Sequence, residues 1–239
     1  MEKCLKDFES DLSCLGITLT KKQLDQFILY YELLIEWNEK INLTAITQLD
    51  EVLKKHFTDS LTFVKVSNNK QDFSIIDVGT GAGFPGIPIK ILFPECKLTL
   101  LDSLNKRISF LQEVVSKLEL ENVSFYHGRA EDFAKPGQLR ESFDFAVSRA
   151  VANLSSLSEL CIPYVKEKGY FISYKGDKAS EELQQAENAI SILGGKLEDC
   201  ISFHLPNSDI ERNLLVIKKE KATPKKYPRK AGTPTKQPL

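Results

Sequence analysis

The spacing of apolar residues predicts two kinds of structure, one before and one after residue 70. In the first part, apolar positions recur every three or four residues, which is the period of an amphipathic helix. One helix is predicted to begin at Thr20, because Thr20 and Gln23 form a capping box, and to continue to Trp37. A second helix is predicted to begin at Asp50, which can act as its N-cap. The apolar face of this second helix consists of Val52, Leu53, Phe57, Leu61 and Val64.

Short apolar runs alternate with helical stretches from residue 73 onward. Five runs are predicted to be strands, at 73–78, 97–102, 123–127, 143–148 and 169–174. One face of the helix after the second strand is predicted to carry Leu104, Ile108, Leu111, Val115 and Leu118. Two further runs, 200–204 and 213–218, flank a turn segment and predict an antiparallel hairpin. Together they predict an α/β fold in which helices cover both faces of a mostly parallel, seven-stranded sheet.

These patterns divide the chain into three parts. We predict a helical extension over residues 1–70, an α/β domain over residues 71–219 and a basic, proline-rich tail over residues 220–239. The boundary between the first two parts is placed in the polar loop 67–72. The tail contains four prolines and few apolar residues, so it is predicted not to form a core of its own.

A glycine-rich turn follows the first predicted strand, with Gly79, Gly81 and Gly83 at alternating positions. Glycine adopts positive φ and lets a ligand approach the backbone. Pro88 then suits the first turn of a helix, so the stretch predicts the entrance of a nucleotide-type site. Phe84 stands where the dinucleotide fingerprint needs its third glycine, and the pattern instead resembles motif I of the S-adenosylmethionine-dependent methyltransferases. The alternative is a glycine-rich turn that binds no ligand.

Polar residues follow three of the predicted strands. Asp102 ends the second strand, where it can accept hydrogen bonds from ribose hydroxyls or simply cap a helix. Ala130 and Glu131 follow the third, where an amide and a carboxylate can read an adenine edge; the alternative is an acidic helix start. Arg149, with Ala150 after it, ends the fourth and can pair with a carboxylate or phosphate, unless it is an ordinary surface arginine.

Composition narrows the class of protein. The 239 residues are 42% hydrophobic and 27% charged, which is typical of a globular domain. No apolar run approaches the roughly 18 residues of a membrane span, and the N-terminus lacks a signal-peptide core. Five cysteines and three histidines are scattered, so neither a metal site nor a disulfide framework is predicted. The free thiols indicate a cytoplasmic location, and the isolated His56 is interpreted as a structural residue.

Charge is unevenly distributed along the chain. Residues 218–239 carry a net charge of +7, and the rest of the chain carries −8. A basic tail on an acidic body predicts a polyanionic partner. Tyr227 can stack on an unpaired base of an RNA partner. The cations predicted to bind RNA phosphates are Lys225, Lys226, Arg229 and Lys230. The alternative is a solvated tail without a partner.

Seven stretches of the sequence, taken in order, carry a resemblance to a known family. They are WNEKINLTAI, HFTDSL, DVGTGAGFPGIPIKI, LLDSLNKRISFL, GRAED, SRAVANL and YPRKAGTP. Together they span nearly the whole chain and resemble the RsmG family, also called the glucose-inhibited division protein B family, of bacterial ribosomal RNA methyltransferases. The resemblance implies a class I methyltransferase fold. It also implies methyl transfer from S-adenosylmethionine to N7 of a guanine in 16S ribosomal RNA, which leaves S-adenosylhomocysteine.

The resemblance also implies which residues contact the cofactor. They are Gly79, Phe84, Ala130, Glu131 and Arg149, with Asp102 at the ribose. Guanine N7 has a free lone pair and no proton to lose, so we expect catalysis by positioning, without a general base or a metal. Arg149 is the candidate on the substrate side.

The expected partner is 16S ribosomal RNA or the small ribosomal subunit, and the protein is expected to be a monomer. Two other classes stay open at this stage. One is a methyltransferase acting on a small molecule or a protein, and the other is a nucleotide-binding module without catalysis.

Overall fold

The computed structural model describes residues 1–67, 70–149 and 152–239. Part of the predicted boundary loop and Ala150 therefore lie outside the described residues. The N-terminal part is helical and consists of α1 (Glu2–Cys14), α2 (Lys21–Ile41), α3 (Leu49–Val52), a π-helical turn (Leu53–Thr58), α4 (Asp59–Leu61) and a 3₁₀ turn (Thr62–Lys65). Within the described ranges, no helix combines the length and the apolarity needed to cross a membrane.

Capping residues decide where these helices begin. α2 begins after Thr20 as predicted, because the Thr20 hydroxyl accepts a hydrogen bond from the Gln23 amide. The Gln23 side chain in turn accepts a hydrogen bond from the Thr20 amide, which completes the capping box. The next helix is present as predicted, but its predicted cap is wrong, since Gln48 is the N-cap of α3 and Asp50 lies in the first turn. A carboxylate in the first turn is stabilised by the helix dipole there, without being the cap.

Seven strands form one sheet: β1 (Ser74–Val78), β2 (Lys97–Asp102), β3 (Val123–His127), β4 (Phe143–Arg149), β5 (Val165–Lys175), β6 (Gly195–His204) and β7 (Glu211–Lys219). Their spatial order is β3-β2-β1-β4-β5-β7-β6. β7 runs antiparallel to both of its neighbours, and the other neighbouring pairs are parallel. This arrangement is the mostly parallel α/β fold with a terminal hairpin that the sequence predicts.

The chain changes direction across the sheet between β1 and β4. From β1 the strand order runs outward to β2 and β3, whereas β4 leads to β5 on the other side. In an open α/β sheet, this change leaves a crevice beyond the carboxyl ends of the two central strands, and ligands bind there. The register pairs Asp77 near the end of β1 with Val147 of β4, which places the following residues at that crevice.

The helices of the α/β part are α5 (Gly86–Leu92), α6 (Asn105–Lys117), α7 (Ala130–Phe133), α8 (Leu154–Cys161), α9 (Ala179–Ile192) and α10 (Thr233–Lys236), with a 3₁₀ turn (Ile162–Tyr164) after α8. The predicted apolar face of α6 is correct for Ile108 and Leu111, which are buried. It is wrong for Leu104, which is 52% exposed. Leu104 is the N-cap residue, so it stands outside the helical periodicity.

Two hydrophobic clusters lie on opposite faces of the sheet, since the adjacent residues Ile75 and Ile76 of β1 belong to different clusters. The first cluster joins the N-terminal helices to the α/β part. The rings of Phe27 and Phe57 lie 5.0 Å apart, and Phe57 lies 5.9 Å from Phe84 of the glycine turn. The N-terminal helices therefore share a core with the sheet and support one side of the turn.

The second cluster is built mainly from the sheet, α8 and α9, and part of the tail packs on it. Tyr227 belongs to this cluster and is 7% exposed, and Pro234 is also buried. Full burial of a large aromatic side chain contributes roughly 1.5–3 kcal/mol. The tail thus gains its stability from the domain.

Candidate functional site

A cavity of about 370 Å³ lies at the crevice between β1 and β4. The glycine turn after β1 and the end of β2 line it, together with the end of β4 and His56 from the π-helical turn. The residues predicted to bind a cofactor that line this cavity are Gly79, Gly81, Phe84, Asp102 and Arg149. The fold therefore brings together residues from the turn, from β2 and from β4.

The three glycines of the turn adopt φ values of 71° at Gly79, 61° at Gly81 and 95° at Gly83. A β-carbon placed on Gly81 would meet no atom within 4 Å, so a ligand can approach the backbone there. A β-carbon on Gly83 would lie 2.5 Å from the Tyr30 hydroxyl. Gly83 is therefore required for packing against α2. This corrects the expectation that all three glycines serve the cofactor.

The side chain of Asp77, near the end of β1, stabilises the glycine turn. Its Oδ2 accepts hydrogen bonds from the Thr80 hydroxyl at 2.7 Å and from the Gly86 amide at 2.8 Å. Its Oδ1 is buried and finds no partner in the described part of the chain. Burial raises the pKa of Asp77 to about 7, because the charged carboxylate loses its hydration there. Asp77 thus fixes the shape of the turn through the two hydrogen bonds that its Oδ2 accepts.

Asp102 is 3% exposed and has two roles at once. Its Oδ1 accepts a hydrogen bond from the Leu104 amide at 2.9 Å, at the start of α6. Its Oδ2 accepts one from the Gly81 amide at 2.9 Å and lies 3.3 Å from Arg107 Nη1. Asp102 is therefore not the cap of α6, whose N-cap is Leu104; its carboxylate fixes the backbone that leads into the helix and lines the cavity.

Arg149 is held firmly in the cavity wall. Its Nη1 donates to Asp59 Oδ2 at 2.9 Å and to the Lys55 carbonyl at 3.1 Å, and its Nη2 lies 3.1 Å from His56 Nδ1. The guanidinium carbon also lies 5.1 Å from the centroid of the Phe84 ring. With its side chain 14% exposed, Arg149 is a preorganised cation rather than an ordinary surface arginine.

His56 is neutral in this arrangement. Arginine can only donate, so His56 Nδ1 accepts from Arg149 and the ring proton lies on Nε2, 2.9 Å from Thr44 Oγ1. The imidazole stacks on the Phe84 ring with 4.6 Å between centroids. Burial, and then the charge of Arg149, lower the pKa of His56 to about 3. The contacts support a structural role for His56.

A larger cavity of about 770 Å³ adjoins the first, and Arg149 and His56 line both. Arg212 of β7 lines the larger cavity and donates from Nε to Asp59 Oδ1 at 3.0 Å. Asp59 is 3% exposed. Its Oδ2 accepts from Arg149 and its Oδ1 from Arg212, so the carboxylate bridges the two arginines. Across residues 1–67, 70–149 and 152–239, no group of three or more His, Cys, Asp or Glu side chains is arranged to hold a metal ion.

Sequence reasoning misses both Asp59 and Arg212. Asp59 lies between the apolar positions of a helical stripe, where a carboxylate is expected to face solvent. Its partners Arg149 and Arg212 are 90 and 153 residues away in sequence. The signal that points to Asp59 is its place in the stretch HFTDSL.

Ala130 and Glu131 begin α7, and in the described structure neither lines the 370 Å³ cavity. The Glu131 carboxylate, 5% exposed, accepts a hydrogen bond from the Gly232 amide of the tail at 2.7 Å. The Ala130 carbonyl accepts one from the Tyr164 hydroxyl. These contacts correct the expectation for the Glu131 side chain, which is engaged by the tail. The backbone of this segment stays the candidate for an adenine contact.

The predicted RNA-binding cations of the tail fall into two groups. Arg229 Nη2 donates to Glu159 Oε2 at 2.6 Å, and the Arg229 amide donates to Glu159 Oε1 at 2.7 Å. Glu159 is 0% exposed, so this pair anchors the tail to α8. The expectation that Arg229 contacts RNA is therefore wrong, because its side chain is engaged by Glu159. The other three predicted cations, Lys225, Lys226 and Lys230, are exposed.

Comparison with known proteins identifies the family. The family model described as rRNA small subunit methyltransferase G matches residues 23–215. The curated ribosomal RNA small subunit methyltransferase G of Lachnoclostridium phytofermentans is 56% identical over 232 residues, which cover 97% of this chain and 96% of that protein. The chain belongs to the rRNA small subunit methyltransferase G family. This membership confirms the resemblance noted in the sequence and makes the chain a methyltransferase.

Solved structures show how this member of the rRNA small subunit methyltransferase G family is built. A SAM-dependent methyltransferase from Aquifex aeolicus matches with a TM-score of 0.52 and 16% identity, covering 70% of this chain and 92% of that one. TYW2 from P. horikoshii, solved in complex with MeSAdo, matches with a TM-score of 0.54 and 15% identity, covering 68% and 61% of the two chains. Both likenesses concern the fold, and they confirm the predicted class I methyltransferase architecture.

Proposed function

We propose that this protein transfers the methyl group of S-adenosylmethionine to N7 of a guanine in 16S ribosomal RNA. The observation that carries the proposal is the open backbone at Gly81 beside the buried Asp102, at the crevice between β1 and β4. Family membership supports the substrate class, because the family is described as methyltransferases of small-subunit rRNA. We expect the protein to act as a monomer in the cytoplasm.

The residues of the cleft fit S-adenosylmethionine. Gly81 leaves free the space that a β-carbon would fill, and Gly79 lines the same cavity. Asp102 would hold the ribose hydroxyls, since its carboxylate is already oriented by the Gly81 and Leu104 amides. Arg149 is preorganised to pair with the carboxylate of the methionine part. When bound, the cofactor supplies a methyl group activated by its sulfonium.

The chain itself contributes positioning. Guanine N7 has a lone pair and no proton to lose, so the transfer needs no base, and neutral His56 with a pKa of about 3 is not required as one. Arg149 and His56 line the border that the two cavities share and can align the acceptor with the donor there. The acceptor guanine must be unpaired or turned out of its stack to reach this border.

The exposed tail lysines are proposed to hold the RNA backbone. The tail is fastened to Glu131 at the start of α7 and through its last residue, since Leu239 O accepts from Ser155 Oγ at the start of α8. Both helices begin just after the carboxyl ends of parallel strands, which is the edge of the sheet that carries the cleft. Lys230 and Lys236 flank this anchored part of the tail, where phosphates of a bound RNA can be neutralised. Lys225 lies beside Arg140, just before β4, at the opposite edge of the sheet, where it can contact a more distant part of the RNA.

The test is methyl transfer from labelled S-adenosylmethionine into separated RNA, protein and metabolite fractions. We expect the label in 16S ribosomal RNA, released on digestion as 7-methylguanine. Label in the protein or metabolite fraction instead would overturn the proposal.

Gly81→Val should abolish this transfer, because the new side chain enters the space that the cofactor needs. Gly16→Val is the matched control. Gly16 has a similar φ of 72°, and a β-carbon there also meets no atom within 4 Å, but it lies at the end of α1. This control should keep wild-type transfer, and loss of activity in both variants would show backbone strain rather than loss of the cofactor site.

A further inference from the structure

We infer that Lys175 and Glu182 recognise the Watson–Crick edge of the acceptor guanine in the 770 Å³ cavity. The inference rests on the proposed function, because it assigns the acceptor base of that reaction to a place in the structure. Both residues line this cavity, together with Arg149 and His56. Since Arg149 and His56 also line the cofactor cleft, the two cavities share a border, and a base in the larger cavity can lie next to the cofactor.

Lys175 and Glu182 form a fixed pair. Lys175, the last residue of β5, donates from Nζ to Glu182 Oε2 at 2.7 Å and to the Ala152 carbonyl at 2.9 Å. Glu182 lies in the first turn of α9, and its Oε2 also accepts from the Leu154 amide at 2.8 Å. The Lys175 side chain is 8% exposed and that of Glu182 27%, so the pair is largely desolvated. Its polar groups are thus held in one orientation at the cavity wall.

The chemistry of this pair matches guanine. A lysine ammonium has three N–H donors, and two of those on Lys175 serve Glu182 and the Ala152 carbonyl. The third can donate to guanine O6, while the Glu182 carboxylate accepts from N1–H and the N2 amino group. Adenine presents an amino donor and an N1 acceptor along the same edge, so it would face the ammonium with a donor and the carboxylate with a lone pair. The pair therefore selects guanine over adenine.

The same orientation suits the reaction. N7 lies on the opposite side of the purine from the Watson–Crick edge, so a guanine held by Lys175 and Glu182 can turn N7 toward the border that the two cavities share beside Arg149 and His56. Methyl transfer moves a positive charge from the sulfonium into the purine ring. The negative carboxylate of Glu182 at the far edge of the ring attracts this new positive charge and so stabilises the transition state.

If Glu182 had only a structural role, its substitution would change the stability of the protein and not its choice of base. Glu182 also accepts from the amide of Leu154, the first residue of α8, and in a structural role Glu182→Gln would change stability alone. The two roles are separated by a substrate that lacks one of the recognised groups. Inosine is guanosine without the N2 amino group, so it removes one hydrogen bond to the Glu182 carboxylate and leaves N7 in place.

The experiment compares 16S RNA fragments with guanosine or inosine at the methylated position. Wild-type kcat/KM should be roughly 10- to 150-fold lower for the inosine RNA, which is the loss of one hydrogen bond to a charged group. Glu182→Gln should lower kcat/KM for the guanosine RNA by a similar factor and bring the guanosine-to-inosine ratio close to one. Its cofactor affinity should stay at the wild-type value, because Glu182 does not line the cofactor cleft in the described structure.

Glu198→Gln is the matched control. Glu198 pairs with Lys218 at 2.9 Å on the terminal hairpin, and this variant should keep the wild-type ratio and rate. An unchanged guanosine-to-inosine ratio in Glu182→Gln would overturn the inference. Equal methylation of both RNAs by the wild-type protein would overturn it as well, without any variant having to fold. Absence of 7-methylguanine in the guanosine RNA would instead mark failure of the proposed function.

Discussion

Arg149 and Arg229 each pair with a buried carboxylate, but the surroundings of the two pairs differ. Asp59, the partner of Arg149, is 3% exposed, binds Arg212 with its second oxygen and borders the larger cavity. Glu159, the partner of Arg229, is 0% exposed and lies beneath the tail. The same ion-pair chemistry stands at the candidate binding site in one place and anchors the tail in the other. Exposure does not separate the two, since the Arg149 side chain is 14% exposed and that of Arg229 26%, so the neighbouring cavity or tail segment decides the role that we propose for each pair.

The largest effect is expected when the tail anchor is broken. Arg229→Met leaves the fully buried Glu159 without its partner, which should lower the free energy of unfolding by about 3–5 kcal/mol. Urea denaturation of both proteins measures this difference. Cofactor affinity, measured under conditions where the variant is folded, should barely change. A stability near that of the wild type would show that Glu159 does not need Arg229.

Two further variants check the cause of that loss. Replacing both partners, as in Glu159→Leu with Arg229→Met, should restore most of the stability because no unpaired charge remains. Lys6→Met removes an exposed ion pair with Glu2, and its stability should match the wild type.

The reverse pattern is expected at the cleft. Arg149→Met leaves Asp59 paired with Arg212, so the loss of stability should be smaller than for Arg229→Met. Cofactor affinity should fall by roughly 10- to 150-fold, which corresponds to about 1.5–3 kcal/mol for a lost charged hydrogen bond. Calorimetric titration with S-adenosylmethionine provides the measurement. Unchanged cofactor affinity in a folded Arg149→Met protein would show that Arg149, like Arg229, does not bind the cofactor.

The exposed lysines of the tail can be neutralised without unpacking the tail. Deletion of the tail is unsuitable for this purpose, since it would also expose Glu159 and remove Tyr227 from the core. A variant with glutamine at 225, 226, 230 and 236 should reduce the log–log salt slope of single-stranded RNA binding by up to about 2.8, or about 0.7 per phosphate contact.

A charge-matched control carries the same four replacements at the exposed lysines 3, 6, 21 and 22 of the N-terminal helices. RNA affinity measured at several salt concentrations should show the wild-type slope for this control. Equal slopes in both variants would mean that the tail lysines do not contact the RNA.

A smaller effect is expected from His56 on acidification. Its folded-state pKa of about 3 lies below the unfolded value of about 6.5, so below pH 6.5 the unfolded state takes up a proton that the folded state does not. Stability is therefore fully present above pH 6.5 and falls as the pH drops toward 3. Between pH 6.5 and 5.5 this term lowers the free energy of unfolding by about 1 kcal/mol.

His56→Gln should lack that term, because glutamine takes up no proton in this range. Asp77 changes the stability in the opposite direction. Its folded-state pKa of about 7 lies above the unfolded value of about 4, so the folded state takes up a proton first and becomes more stable as the pH falls from 7 to 4. The difference between wild type and variant, measured by urea denaturation across this range, isolates His56. Identical pH profiles would place His56 in a solvated environment.

Features that depend on neighbouring residues could be predicted from the sequence. The glycine turn and Asp102 lie at strand ends, and the strand and turn patterns that define them are local. The role of Glu131 could not be predicted in this way, because its partner Gly232 lies 101 residues away. Arg229 and Glu159 are 70 residues apart, and a basic, proline-rich segment gives no sign of a buried acid that receives it.

The most direct test of the account asks which atom accepts the methyl group. Once the modified nucleotide has been mapped, single-turnover transfer can be measured with RNA that carries guanine or 7-deazaguanine at that position. We expect rapid transfer to the guanine RNA and none to the 7-deazaguanine RNA, although both should bind equally well. Transfer to the 7-deazaguanine RNA at the same rate would contradict it, because that base has no nitrogen to accept the methyl group at position 7.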